Sequence, residues 1–114
     1  CGYGSNTTRG VFAGGNGSVV RVKSIEFLTI SSTGSNQYFG ELSTRRDPQA
    51  CCSSQTRTVF GNGYSNDLGG NDGTYDYIEL ATGGTAVHFG DQTQGWNGSA
   101  QGGCSDSHGG LGGY

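Results

Sequence analysis

The sequence has little of what a large core, a membrane span or a nucleic-acid interface requires. Only 31% of its 114 residues are hydrophobic, and it contains one Pro, one Trp and no Met. No apolar run approaches the roughly 18 residues of a membrane-spanning helix, so we expect no membrane insertion. The formal net charge is −3, and the only basic cluster, Arg45-Arg46, is followed at once by Asp47. We interpret that cluster as a solvated loop and expect no nucleic-acid partner.

Glycine, in contrast, is abundant. Its 24 positions disfavour any helix longer than a turn, while an aromatic share of 11% supplies bulky side chains for one thin core. Apolar and polar residues alternate at Ile78–Leu80 and again at Val87–Phe89, with Gly83-Gly84 between the two runs, which is typical of a hairpin. We therefore predict a single all-β domain over residues 1–114.

An internal repeat is visible in the chain. The repeating unit is about 50 residues long, and its two copies span about 10–58 and 59–108. A four-stranded Greek key has that length, so we expect each copy to form one. The echoed segments are Val11–Gly17 with Val59–Gly63, Ser24–Phe27 with Tyr77–Leu80, and Tyr38–Gly40 with His88–Gly90.

Four cysteines predict a disulfide framework. They stand at Cys1, Cys51, Cys52 and Cys104, without a CxxC spacing and without histidines placed to complete a zinc site. Adjacent cysteines seldom bond to each other, so we expect Cys51 and Cys52 to pair with Cys1 and Cys104 in one of two orders. Two such bridges would imply an oxidising compartment.

Other features agree with secretion. A chain that opens on Cys without Met is typical of a processed, mature form. N-glycosylation sequons, which are acceptors in secreted proteins, begin at Asn6, Asn16 and Asn97. We therefore expect an extracellular location.

Two segments of the chain follow one common pattern. Lys23–Phe27 leads through a turn to Gln37–Gly40, and Asp76–Gly84 leads to Val87–Gly90. Both segments, with the Gly-rich stretch Gly14–Gly17, resemble jacalin-related lectins, in particular the animal branch that includes the zymogen-granule lectins. The resemblance implies a Greek-key β-prism that binds mannose or galactose without metal or catalysis. The late Gly-x-x-x-Asp segment of that family has no counterpart here. We expect a β-prism-like fold or a β-sandwich.

The chain also contains groups suited to sugar binding. An aromatic ring can stack on a pyranose, while carboxylate and amide groups bind its hydroxyls and Gly lets backbone amides approach. In the alternative interpretation, Trp96 caps a thin core and the early glycines form a turn with a glycan on Asn16. The predicted ligand-binding residues are Gly14, Gly15, Asn16, Asp91, Gln92, Gln94, Trp96 and Asn97.

An acidic, Gly-rich segment is a candidate for calcium. Asp67, Asp72 and Asp76 are its possible ligands, and an ordinary Asp/Gly turn is the simpler interpretation. We otherwise expect neither metal nor cofactor.

The sequence offers two candidate groups of catalytic residues, and neither is expected to form an active site. Ser105, Asp106 and His108 lie in a Gly-flanked end that cannot hold a triad, and Glu26 and Glu79 are not expected to meet as a glycosidase pair. We therefore predict a secreted, non-enzymatic domain that binds glycans or glycoproteins. The alternatives are a structural or interaction protein, an inhibitor, or a small polysaccharide hydrolase. Edge strands would also permit a homodimer.

Overall fold

The computed structural model describes residues 2–48, 50–93 and 103–105, and this part of the chain is entirely β with no helix. The all-β prediction is confirmed. The described residues likewise contain no helix that could span a membrane. The eleven strands found there are β1 Gly2–Ser5, β2 Arg9–Asn16, β3 Arg21–Thr29, β4 Gln37–Glu41, β5 Arg46–Asp47, β6 Ala50–Ser53, β7 Arg57–Gly61, β8 Tyr64–Ser65, β9 Gly70–Asn71, β10 Thr74–Glu79 and β11 Val87–Asp91.

The strands form three antiparallel sheets. The first has the order β1-β2-β3-β4, the second β6-β7-β10-β11, and a small third sheet has the order β5-β8-β9. Both four-stranded sheets are therefore meanders. A Greek key would place the fourth strand beside the first, so the predicted Greek-key topology is wrong for these two sheets.

The two four-stranded sheets share one pairing register. The pair Tyr3 and Phe12 recurs 48 residues later as Cys51 and Phe60. The pairing of Glu26 with Tyr38 recurs 50 residues later as Asp76 with His88, each with a bulge immediately before it. We call residues 2–41 unit 1 and residues 50–91 unit 2.

The units also share one ring arrangement. The rings of Phe27 and Phe39 meet edge to face with centroids 5.9 Å apart, and those of Tyr77 and Phe89 do the same at 5.9 Å. The equivalent of Phe27 is therefore Tyr77, and the sequence alignment that matched Phe27 with Leu80 is out of register.

The core lies between the two sheets, which stack front to back. Unit 1 buries the face that carries Val11, whereas unit 2 buries the face that carries Phe60. The equivalent of Phe60 in unit 1 is Phe12, which points outward and is exposed. Each sheet thus turns the opposite face to the core. The buried hydrophobic residues are Val11, Ala13, Ile25, Phe39, Leu42, Phe60, Ile78, Leu80 and Ala86.

Glycine permits this close stacking. A Cβ at Gly2 would lie 2.8 Å from Cys51 Sγ and 2.9 Å from a ring carbon of Phe60, and one at Gly4 would collide with Ser53 and Thr58. Only a residue without a side chain fits these positions of β1. The abundance of glycine therefore has a packing role between the sheets.

Strand β5 connects the two units. It follows unit 1 in the chain and pairs with β8 of unit 2, with Arg46 opposite Ser65. It also packs against β2 and β3 of unit 1. The short third sheet is thus held by both units.

Candidate functional site

The early glycines of the predicted sugar site have a structural role. Gly14 lies in β2 with a φ of 64°, and a Cβ there would collide with the Arg46 carbonyl and lie 2.8 Å from Pro48 Cδ. Gly15 is buried and pairs with Val22, while Asn16 is exposed at the end of the strand. A side chain is therefore excluded at Gly14, which is partly buried, and the ligand-binding role of the two glycines stays a prediction.

The late half of the predicted site is only partly described. Asp91 ends β11 on the surface, with its Oδ2 3.6 Å from His88 Nε2, and Gln92 N donates to Gly73 O at 2.8 Å. No hydrogen bond or ion pair of the described residues joins these two to residues 14–16. The remaining predicted ligand residues, Gln94, Trp96 and Asn97, lie outside the described residues.

The calcium candidates bind arginine side chains. Asp67 is on the surface and accepts from Arg45, whose Nε lies 3.4 Å from its Oδ1. Asp72 and Asp76 are buried and face Arg46. Within residues 2–48, 50–93 and 103–105, no group of three or more His, Cys, Asp or Glu residues is placed to hold a metal ion.

Arg46 forms a buried ion cluster that the sequence interpretation as a solvated loop missed. Its Nη1 lies 3.2 Å from Asp72 Oδ2 and its Nη2 lies 3.1 Å from Asp76 Oδ2, and all three side chains are fully buried. Thr44 Oγ1 donates to Asp72 at 2.6 Å, and Ser43 Oγ donates to Asp76 at 2.7 Å. These ion pairs and hydrogen bonds link the chain around β5 to unit 2.

The carboxylate of Asp72 is held ionised by its hydrogen-bond donors and by Arg46. Burial acts to raise the pKa of Asp72, but hydrogen bonds from Thr44 and Thr74, with the charge of Arg46, outweigh it and lower the pKa below its usual value. Asp72 therefore remains a partner for Arg46 down to acidic pH. The cluster stabilises the fold and does not offer an open binding site.

Three cysteines lie around one depression. Cys51 and Cys52 on β6, together with Cys104, line a depression of about 420 Å³ beside β1. Cys52 and Cys104 also line a second, neighbouring depression with Val59. Cys51, Cys52 and Cys104 carry free thiols in the described part of the chain, and Cys1 lies outside it. Disulfide formation therefore stays a prediction.

In fully reduced protein we expect iodoacetamide to alkylate Cys104 faster than Cys51. The thiolate is the reacting form, and burial raises the pKa of the half-buried Cys51 thiol despite a hydrogen bond with the Tyr3 backbone. Cys104 is exposed. A time course near pH 8, read by peptide mass spectrometry, measures both rates. Equal rates would contradict the burial of Cys51.

An aromatic row crosses the outer face of the first sheet. The strand register aligns Tyr3 with Phe12, Phe12 with Glu26, and Glu26 with Tyr38, so one residue comes from each strand. All four side chains are exposed. We call these four residues the aromatic row. Sequence reasoning missed it because its members are scattered over the first 38 residues, and only the register brings them together.

Glu26 is the polar member of the row. Its Oε2 accepts from Asn36 Nδ2 at 3.3 Å. The other candidate carboxylate, Glu79, is on the second sheet and binds Arg57, with Oε1 3.0 Å from Nη2. Glu26 and Glu79 thus lie on different sheets, with different partners. Of the candidate triad, Asp106 and His108 lie outside the described residues.

The outer face therefore presents three rings and one carboxylate, supported by a four-stranded sheet. Such a surface can stack on apolar ring faces and bind hydroxyl groups. Compared with models of known protein families and with curated proteins, the chain matches none.

Proposed function

We propose that the protein is a secreted, non-enzymatic module that binds glycans or glycoproteins on the outer face of its first sheet. The aromatic row is the observation that carries the proposal. Tyr3 is 68% exposed and Tyr38 65%, and together with Phe12 they form an exposed aromatic patch, which is a more informative observation than a single exposed ring. An exposed aromatic surface that the core does not use is typical of a binding surface.

The dimensions of the row fit an extended saccharide. Neighbouring strands lie about 4.8 Å apart, so a row over four strands extends for about 14 Å. Tyr3 and Phe12 supply adjacent rings at one end, and Tyr38 supplies a ring at the other. Between them, the Glu26 carboxylate accepts hydrogen bonds from hydroxyls, and Asn36 beside it can donate to them.

The row favours binding over hydrolysis. Glycosidases use two carboxyl groups on either side of the scissile bond, about 5–10 Å apart. Glu26 is the only carboxylate of the aromatic row, and Glu79 is engaged by Arg57. The four residues of the aromatic row therefore do not themselves include the pair of carboxyl groups that hydrolysis requires.

Secretion is supported by cysteine usage and by the sequons. Cys52 and Cys104 line the same two depressions, which places them in one neighbourhood for pairing in an oxidising compartment. Asn6, the first sequon asparagine, lies in the turn after β1. The jacalin-related resemblance suggests the same class of ligand.

A glycan array tests the proposal. We expect the folded protein to bind a saccharide class, and Tyr3→Ala and Tyr38→Ala each to weaken that binding about tenfold, the loss of roughly one stacking contact. Phe89→Ala is the matched control, because Phe89 is an exposed ring on the other sheet. Absence of binding to every glycan, or equal loss in all three variants, would contradict the proposal.

A further inference from the structure

We propose that two copies of this chain associate head to tail, by repeating between copies the contact that unit 1 makes with unit 2 inside the chain. Each of the two faces that meet inside the chain has an equivalent on the outside of the other unit. The outer face of unit 2 corresponds to the face that unit 1 buries, and the outer face of unit 1 corresponds to the face that unit 2 buries. A heterologous contact of this kind needs no symmetry axis between the copies.

Inside the chain, a hairpin of unit 2 docks along the edge of unit 1. Gly84 N donates to Phe39 O at 2.9 Å, and Ala86 N donates to Glu41 O at 2.7 Å. The approach is so close that a Cβ at Gly40 would collide with the Gly84 carbonyl. The loop of the hairpin thus lies along the outer edge of β4 and forms two backbone hydrogen bonds with it.

In the described part of the chain, the equivalent groups of the two units make no such contact. The equivalents of Gly84 and Ala86 in unit 1 are Gly34 and Asn36, and the described residues provide no acceptor for their backbone amides. The equivalent of β4 in unit 2 is β11, which is the edge strand of its sheet. A donor hairpin and an acceptor edge are therefore both present, at opposite ends.

Hydrophobic side chains that are buried between the units have equivalents that are exposed on the surface. Leu80 is 0% exposed between the units, and its equivalent Ile30 is 53% exposed. Phe39 is 5% exposed, and its equivalent Phe89 is 57% exposed. In a head-to-tail pair, Ile30 of one copy and Phe89 of the other take the buried positions of Leu80 and Phe39. Burial of that apolar area is the driving force.

An arginine is placed to complete the contact. Arg9 of unit 1 stacks on Phe27 at 4.6 Å and donates from Nη1 to the Leu80 carbonyl of unit 2 at 2.9 Å. Its equivalent, Arg57, stacks in the same way on Tyr77 at 4.4 Å. Arg57 is exposed and can donate to the Ile30 carbonyl of an incoming copy. This hydrogen bond would be the equivalent of the one that Arg9 donates to the Leu80 carbonyl inside the chain.

One segment competes with the incoming copy. Gly103 packs against the backbone of Cys51 on β6. Inside the chain, β1 packs against β6, and in a head-to-tail pair β6 is the equivalent of that β1 and requires a new neighbour. Strand β1 of the incoming copy takes this place by displacing residues 103–105. The association is therefore weaker than the contact within the chain, which has no such competitor.

The face of unit 1 that docks carries the aromatic row, so a bound glycan and a second copy exclude each other there. The docking inference does not depend on glycan binding. Its tests use residues outside the row, and the two proposals can therefore fail separately.

Sedimentation velocity over a concentration series tests the inference. We expect the wild type to associate with increasing concentration and Gly90→Val to raise the dissociation constant at least about tenfold. Gly90 is the equivalent of Gly40, and an added Cβ there meets none of the described atoms within 4 Å, so that Cβ brings no clash with the described part of the monomer. Gly70→Val is the matched control, since Gly70 is equally open on the third sheet. Ile30→Glu, on the opposite end, is expected to weaken association as Gly90→Val does.

Mixing the two variants distinguishes head-to-tail docking from a two-fold dimer. Gly90→Val retains an intact hairpin and Ile30→Glu retains an intact β11 edge, so the mixture is expected to form one-to-one pairs that neither variant forms alone. Three results would overturn the inference: a wild type that stays monomeric at every concentration, equal association of Gly90→Val and Gly70→Val, and a mixture that does not pair.

Discussion

Arg46→Met is expected to lower the free energy of unfolding by about 3–5 kcal/mol. The guanidinium is the cation between Asp72 and Asp76, and all three side chains are fully buried. Its removal leaves two carboxylates without a compensating charge in the interior, where water cannot replace the lost contacts. Urea denaturation followed by circular dichroism measures the change.

Arg45→Met is the matched control. The neighbouring Arg45 pairs with Asp67 on the surface, with both side chains partly exposed, and such a pair contributes less than about 1 kcal/mol. The triple variant Arg46→Met, Asp72→Asn, Asp76→Asn is expected to recover part of the loss, because it removes the uncompensated charges. An Arg46→Met protein as stable as Arg45→Met would show that the cluster does not fasten β5 to unit 2.

Leu80→Ala is expected to destabilise the protein by about 2–5 kcal/mol, while Ile30→Ala changes stability by less than about 0.5 kcal/mol. The two residues occupy equivalent positions after the third strand of each unit. In both units the backbone amide is held alike, by Thr56 O at 2.7 Å for Leu80 and by Thr8 O at 2.9 Å for Ile30. Only Leu80 is buried between the sheets.

The comparison isolates the contact between the units from local strand stability. Thermal unfolding at low protein concentration, where the chain is monomeric, measures both variants. Similar losses for Leu80→Ala and Ile30→Ala would mean that the two units do not stack front to back. A loss confined to Leu80→Ala supports the stacking from which the head-to-tail association is inferred.

Much of the fold could be predicted from local pattern. Gly83-Gly84 between two alternating runs marks a hairpin, and the structure forms strands β10 and β11 on either side of it. The register could not be predicted in full, because short Gly-rich segments match at several offsets. The match of Phe27 with Leu80 rested on a common Ile-Glu pair, whereas the sheet pairing makes Tyr77 the equivalent.

The site was harder to predict than the fold. A lone Trp in a polar segment suggested a ligand contact, but the aromatic row has no sequence motif, since its four members come from four strands. The buried role of Arg46 was equally hidden. Arg45 and Arg46 are adjacent and chemically identical, but β5 begins only at Arg46, whose side chain turns inward to Asp72 and Asp76, whereas Arg45 precedes the strand and pairs with Asp67 at the surface.

The position of β5 between the units has a consequence for how the molecule unfolds. This strand pairs with β8 of unit 2 and packs on β2 and β3 of unit 1, so opening of either unit removes a neighbour from the other. The shared core acts in the same direction, because each sheet buries its apolar face only against its neighbour. The two halves of the chain should therefore melt in one cooperative transition, despite the repetition in their sequence.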